Sequence, residues 1–394
     1  MSPPIQSANR TLIRQINEAV VLGLVHEHGE ISRTELATLS NLSPATITGI
    51  ISRLIRLGLV REVELTRSTG GRPRVLIEFA RDAGTVIGVK LTESHLVGVL
   101  TDLGTRAIGE RTVSLGTSRT PDAVADELAN LVESLRAQSD GSPLLGVGVG
   151  LAGAIDRRAG ICRFSPYLPW RDVPLAEMVE ARVGHPVVIE NDVSALVLAE
   201  RWFGSGADLR DFIVITLGRG VGLGMVLDGR PYRGGKGGGG EFGHITMEPG
   251  GPLCDCGKRG CLEALVGERG LARDLSATLG RDTTLPAGAD LARSGDDAAR
   301  EIFTRAGATL GLALSGIINV LNPTRVMVSG EGTEILDLLL EPMRTALQTH
   351  CFDGLFDDLE LIVDPASDVT WACGAAGLVL DDAFHARLDL ERFG

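Results

Sequence analysis

Apolar positions in the first eighty residues recur first at helical spacing and then in alternation. Leu12, Ile16, Ala19, Val20 and Leu24 fall on one face of a helix over residues 10–28. Ser32-Arg33-Thr34-Glu35 has the form of a capping box, which predicts a second, short helix through Leu39, followed by a tight turn at Asn41-Leu42. Ser43 caps a third helix with Pro44 in its first position, where the missing N–H costs nothing, and Gly58 stops it after Leu57. Two alternating runs, 59–65 and 75–79, flank a segment rich in glycine and arginine. Helix, helix, turn, helix and a two-stranded ribbon make a winged helix-turn-helix domain over residues 1–80. Its third helix would offer Ser43, Thr46, Thr48 and Arg53 to a major groove. Arg72 and Arg74 at the wing tip would reach the minor groove or phosphates. A small helical protein-interaction module with a solvated loop is the alternative.

Past residue 80 the pattern changes. Short runs at 85–91, 95–101 and 106–113 read as strands, and Pro121-Asp122 opens a helix reaching about residue 137. An apolar strand at 144–150 runs into Gly150-Leu151-Ala152-Gly153. A strand at 187–190 leads through Asn191-Asp192 into a helix ending at residue 203. From Asp211 the scheme repeats, with strands at 212–217, 223–228 and 241–248, helices from Leu262, a strand at 325–329 and a last helix at 371–386. Two successive β-β-β-α units predict a duplicated α/β body with a cleft between two lobes, the layout of the actin-like, ribonuclease-H-like fold. The body spans 81–394, its lobes roughly 81–190 plus the C-terminal helix, and 191–370.

Composition is that of a globular protein, and the 394 residues suffice for several cores. The first thirty residues lack the layout of a signal peptide, and the longest apolar run considered, 144–155, carries four glycines. A cytoplasmic, membrane-free protein is expected. The net charge of −13 argues against nucleic-acid binding, but it is uneven. Nine Arg and seven Glu give the first eighty residues +2, which leaves −15 on the remainder.

Candidate chemistry concentrates in residues 234–263. His244, Cys254, Cys256 and Cys261 supply one imidazole and three thiolates, the donor set of a closed, structural Zn²⁺ site. The Pro249-Gly250-Gly251-Pro252 turn lets the chain double back. A chance cluster in a glycine-rich loop is the competing reading, but three of six cysteines lie within eight residues. Such thiols suit a reducing compartment, with Cys162, Cys351 and Cys373 left as core residues. Glu190-Asn191-Asp192, at a strand end, could face the cleft and bind hydroxyls, or Asp192 could cap the following helix. Gly218-Arg219-Gly220-Val221-Gly222-Leu223-Gly224 could cradle phosphate or form a glycine-rich hairpin.

Together these segments resemble the ROK family of repressors, open reading frames and sugar kinases. The resemblance rests on Glu241-Phe242-Gly243-His244, the cysteine run to Glu263, the segments 150–156 and 165–170, and Glu190-Asn191-Asp192. It implies that Asn191, Asp192, Glu241, His244 and Glu263 line a sugar site, and that the metal is a structural zinc. In the family's kinases the aspartate matching Asp192 is the general base. Those kinases open the body with Asp-x-Gly-Gly-Thr, whereas this chain has Lys90-Leu91-Thr92-Glu93-Ser94, and Arg219 stands where they usually carry threonine. An ammonium replaces the metal-binding carboxylate, and Glu93 sets negative charge beside phosphate, so ATP binding and phosphoryl transfer are not expected. Tyr167 stands where family members often have an asparagine, which implies a different or larger sugar. The expected protein is not an enzyme, with Asp192 only a vestigial base. It is a sugar-responsive repressor that binds operator DNA as a homodimer or dimer of dimers. An active ATP-dependent sugar kinase with a regulatory head is the rival.

Overall fold

The head closes as its pattern predicts. In the computed structural model, which describes residues 10–64, 75–235 and 237–384, the head comprises α1 (Arg10–His28), β1 (Ile31–Ser32), α2 (Arg33–Ser40), α3 (Pro44–Arg56), β2 (Val60–Glu64) and β3 (Val75–Phe79). The Ser32 hydroxyl accepts from Glu35 N while the Glu35 carboxylate accepts from Ser32 N at 3.0 Å, the reciprocal bonds of a capping box. Asn41 takes the left-handed conformation that ends α2. The wing strands pair antiparallel, Val60 opposite Phe79. The wing tip, with Arg72 and Arg74, lies outside the described residues.

The first lobe contains β4 (Thr85–Leu91), β5 (His95–Asp102), β6 (Ala107–Ser114), α4 (Pro121–Arg136) and β7 (Leu144–Leu151). A small sheet of β8 (Ala154–Asp156), β9 (Ile161–Phe164) and β10 (Arg171–Val173) follows, then α5 (Leu175–Val183), β11 (Val187–Asn191) and α6 (Asp192–Phe203). The second lobe has β12 (Phe212–Leu217), β13 (Val221–Leu227), β14 (Arg230–Pro231), α7 (Leu262–Val266), α8 (Glu268–Leu279) and α9 (Leu285–Arg293). It continues through α10 (Asp297–Leu321), β15 (Arg325–Ser329), α11 (Leu336–His350) and β16 (Glu360–Val363), after which α12 (Asp368–Phe384) returns to the sheet of the first lobe. The main sheets run β6-β5-β4-β7-β11 and β14-β13-β12-β15-β16, each with antiparallel strands on one side of its first strand and parallel ones on the other. The duplication read from the sequence is thus present in the hydrogen bonding.

No strand forms at 241–248. The chain there makes one 3₁₀ turn, Phe242–His244, and only isolated pairs such as Thr246 with Cys261. Glycines at 237–240, two of them in the left-handed region, and the following Pro-Gly turn break any ladder before it starts. Asp297–Leu321 also corrects the sequence reading, because it is long and apolar enough to cross a membrane. Its Phe303, Leu310, Leu314 and Ile318 are fully buried in the second lobe's core, so it is a core helix.

Helices α6 and α12 stand between the two sheets. Val193 and Val197 of α6 pack with Phe212 and Met327 of the second lobe, while its Ala195 and Leu198 join Ala375 and Val379 of α12. A side chain at Gly148 would overlap the Ala375 carbonyl oxygen, and one at Gly88 would overlap that of Ala372, so α12 lies directly on the backbone of β4 and β7. The same core continues into the head through Val25, Ile77 and Phe79. At that seam the His26 ring lies 5.3 Å from Phe79 and 4.6 Å from Trp202, edge-on to both.

Two outcomes follow. Gly148→Ala must push α12 off the sheet, and chemical denaturation followed by circular dichroism should show a loss of about 3 kcal/mol. Burial, helped by Arg81 and Arg201, lowers His26 to about 4 from its ordinary 6.5. The folded state therefore resists a proton that the unfolded chain accepts. Stability should be full above about 6.5 and fall as the pH drops towards 4, and His26→Phe should flatten that slope in thermal melts.

Candidate functional site

Between the lobes lies a cavity of about 580 Å³, walled by the β4–β5 turn, the β11–α6 junction, the β12–β13 hairpin and the glycine tract. Asn191, Asp192, Glu241, His244 and Glu263 all line it. Their sequence separation is wide, and the folding of both lobes brings them to one wall.

Below Glu241 and Glu263 the donor atoms of His244, Cys254, Cys256 and Cys261 lie within 4.8 Å of one another. Cys256 Sγ is 3.7 Å from Cys261 Sγ, and Cys254 Sγ is 3.6 Å from His244 Nδ1. Two thiolates bound tetrahedrally to zinc at about 2.3 Å stand roughly 3.8 Å apart, so this spacing fits the ion. Burial pushes the Cys254 thiol up to about 12, and a cation is what such a site needs to hold thiolates. All four positions are protein donors, which leaves none for a reactive water. Lys258 Nζ donates to the His244 carbonyl at 2.7 Å and ties the loop down. His244 turns Nδ1 to the cysteines and Nε2 towards Glu241, 3.8 Å away, so one ring touches both the cluster and the cavity wall.

At the β11–α6 junction Asn191 and Asp192 line the cavity. Asn191, rather than Asp192, caps α6, its Oδ1 accepting from Ser194 N at 3.2 Å while its Nδ2 donates to Gly153 O at 3.1 Å. Asp192 Oδ1 accepts from Val193 N at 2.9 Å, and burial raises its carboxyl while the Lys90 charge opposes the rise. Glu190 does not face the cleft. Side chains alternate along a strand, and Glu190 pairs instead with Arg157 at 3.5 Å and Arg233 at 2.7 Å on the α12 side. Arg157 in turn reaches Asp381 and Asp382.

The glycine-rich segment is a hairpin and not an open cradle. Val221 N, an amide a phosphate would use, donates to Glu263 Oε2 at 3.2 Å. Gly222 and Gly224 lie in β13 and let it close on Val193 and Val197 of α6. At the β4–β5 end of the cavity, Lys90 Nζ donates to Asp368 Oδ1 at 2.6 Å, reaches Glu331 at 3.5 Å and sits 4.4 Å over the Trp371 ring. His95 Nε2 is 3.1 Å from the other Asp368 oxygen. Across the cleft, Arg219 pairs with Glu93 and stacks 4.2 Å over the Tyr167 ring. Burial pushes the Tyr167 phenol up to about 12. His95, Glu331, Asp368 and Trp371 escaped the sequence reading, although a buried lysine at position 90 was itself a signal that a carboxylate had to come from elsewhere.

On the head, Ser43, Thr46 and Thr48 are exposed. Ser43 Oγ accepts from Thr46 N at 3.1 Å, and Thr48 Oγ1 donates to Pro44 O at 2.8 Å. Arg53 departs from expectation. Its Nε lies 3.1 Å from the carboxylate of Glu18, which is buried, so the guanidinium turns inward and not to the outer face. Arg56, one turn further and exposed, is the basic group that the helix presents there.

The ROK family model matches residues 86–382 and the MarR family model residues 15–66. A putative xylose repressor of Caldicellulosiruptor sp. is 31% identical over 95% of this chain and 98% of its own. The DNA-binding transcriptional dual regulator NagC of Escherichia coli is 31% identical over 95% of this chain and 94% of its own. Among solved structures, a ROK family transcriptional regulator described as a homologue of the E. coli MLC protein superposes with TM-score 0.86 at 26% identity, covering 97% of this chain and 99% of that one. A ROK family glucokinase of Streptomyces griseus, in complex with glucose and AMPPNP, matches 75% of this chain and 99% of its own with TM-score 0.63 at 29% identity.

Arg53→Ala removes the nearer of the two arginines beside the buried Glu18, the other being Arg14 at 3.7 Å. Equilibrium unfolding should record a loss on the order of 2 kcal/mol, restored in large part by the Glu18→Leu, Arg53→Met pair.

Proposed function

The chain belongs to the ROK family, and on that premise we propose that it is a sugar-responsive transcriptional repressor acting on DNA in the cytoplasm. It is not an enzyme. The observation that carries this reading is the pairing of a winged head with a kinase-like body whose phosphate-binding end is filled by Lys90, Asp368 and Glu331. Phosphoryl transfer depends on positioning and charge neutralisation, and here a fixed ammonium and two carboxylates occupy that ground. Asp192 keeps the place of a general base with nothing to transfer.

The sugar, in this reading, hydrogen-bonds Asn191, Asp192, Glu241, His244 and Glu263. Zinc held by His244, Cys254, Cys256 and Cys261 fixes the loop that carries Glu241 and the His244 ring. Sugar bridging the lobes shifts α6 and α12 between them. Helix α12 begins at the cavity with Asp368 and Trp371 and ends in the core shared with α1, so it carries the shift to the head. A twofold assembly presents two heads to a paired operator, because one head covers too little DNA for specific affinity. Ser43, Thr46, Thr48 and Arg56 face the bases and backbone, and Arg72 and Arg74 of the wing add phosphate or minor-groove contacts.

The test combines footprinting on the DNA upstream of the protein's own gene with thermal-shift screening of pentoses, hexoses and amino sugars. One sugar should raise stability by about 2.7 kcal/mol at a hundredfold its Kd and change operator occupancy. Glu263→Gln should abolish both sugar responses while leaving the operator footprint. One zinc per chain should be found by elemental analysis, and its removal should lower the melting temperature along with the sugar response. Turnover of ATP with a sugar, lost in Asp192→Asn, would overturn the reading.

A further inference from the structure

The cavity's charges restrict what can enter it. Five lining carboxylates, Glu93, Asp192, Glu241, Glu263 and Glu331, stand against two lining cations, Lys90 and Arg219. Both cations are already committed. Lys90 is held by Asp368 and Glu331, and Arg219 by Glu93. Among the described residues each lining Lys or Arg already has a carboxylate partner, and Arg219 Nε alone of its guanidinium is buried without one.

Several backbone donors are committed as well. Two long helices begin at the cavity, α6 and α12, and a helix N-terminus is ordinarily a ready anion site. Here each carries its own carboxylate in the first turn, Asp192 and Asp368. The first amides of α6 are taken by Asp192 and Asn191, and Thr370 N donates to Ser367 Oγ at 3.3 Å. The hairpin amide of Val221 goes to Glu263. Both ends of the cavity, the wall of sugar-binding residues and the far end near Glu331, therefore offer a phosphate the same negative surroundings. A sugar hydroxyl meets acceptors in either place.

From this we infer that the effector is an unphosphorylated sugar, and that Glu93 and Glu331 are the residues that exclude its phosphate esters. The inference rests on the reading of the body as a sugar sensor. Glu93 and Glu331 act by neutralising Arg219 and Lys90, the two cations that a phosphate would need. A neutral sugar is selected by what the site refuses as well as by what it binds.

The experiment is isothermal titration of the full-length protein with the sugar found by screening and with its terminal phosphate ester, the first probes being glucose, xylose and N-acetylglucosamine against glucose 6-phosphate, xylose 5-phosphate and N-acetylglucosamine 6-phosphate. The free sugar should bind at least roughly tenfold more tightly than its ester, as like-charge contact demands, and the gap should shrink as salt is raised. Glu93→Gln releases Arg219 and Glu331→Gln loosens Lys90, so each should improve binding of the ester relative to the free sugar. Two separate variants guard against one that misfolds, and melting curves identify it. An ester that binds as well as or better than its sugar overturns the inference and leaves the sensor reading standing. If neither form of any pentose, hexose or amino sugar binds, the sensor reading fails and takes the inference with it.

Discussion

A buried ammonium must be answered by carboxylates, and Lys90 is the ammonium on which this body depends. It sits on β4 with only 7% of its surface exposed, where isolation would cost several kcal/mol. Asp368 answers it from the start of α12, Glu331 from the far lobe, and the Trp371 face covers it. One charge therefore fixes where the last helix begins and links the two lobes. The cleft thus has a cross-lobe link made of the protein's own ion pairs.

The Cys/His cluster plays the complementary part on the opposite wall. A chain with so many glycines between 234 and 260 has little propensity of its own to hold side chains in place. Four donors come within 4.8 Å of one another there, and the His244 ring reaches from them to the cavity surface. The lobes are matched in strand order, yet the walls differ in how they are fixed, by ion pairs on one side and by soft donors on the other.

Features set by near neighbours could be read directly from the sequence. The Ser32/Glu35 capping box, the Ser43-Pro44 start of α3 and the three cysteines within eight residues each have their cause within a few positions. The duplication of the body is legible as well, because the succession of short strands and a helix starts again at Asp211. Distant partners were not legible. Asp368 lies 278 residues from Lys90, and nothing local announces their contact. Arg53 looked like an outward donor on α3 because its partner, Glu18, belongs to another helix. Glu190 was assigned to the cleft from its neighbours, whereas the alternation of β11 sends it to Arg157 and Arg233. Periodicity predicts a strand at 241–248, and the left-handed Gly237 and Gly240 that precede it leave no trace in hydrophobic periodicity.

The continuous core from the head into α12 has a consequence for how such regulators diversify. A head tethered by a flexible linker could be exchanged between proteins with little penalty, since only the tether would need to match. Here Val25 and Phe79 share their packing with Val379 and Ala383, and His26 lies against Trp202 of the body. A transplanted head would meet a foreign surface and leave voids or overlaps along the seam. Substitution of the exposed residues of α3, by contrast, leaves that seam untouched. Lineages of this architecture should keep head and body together as a single inherited unit.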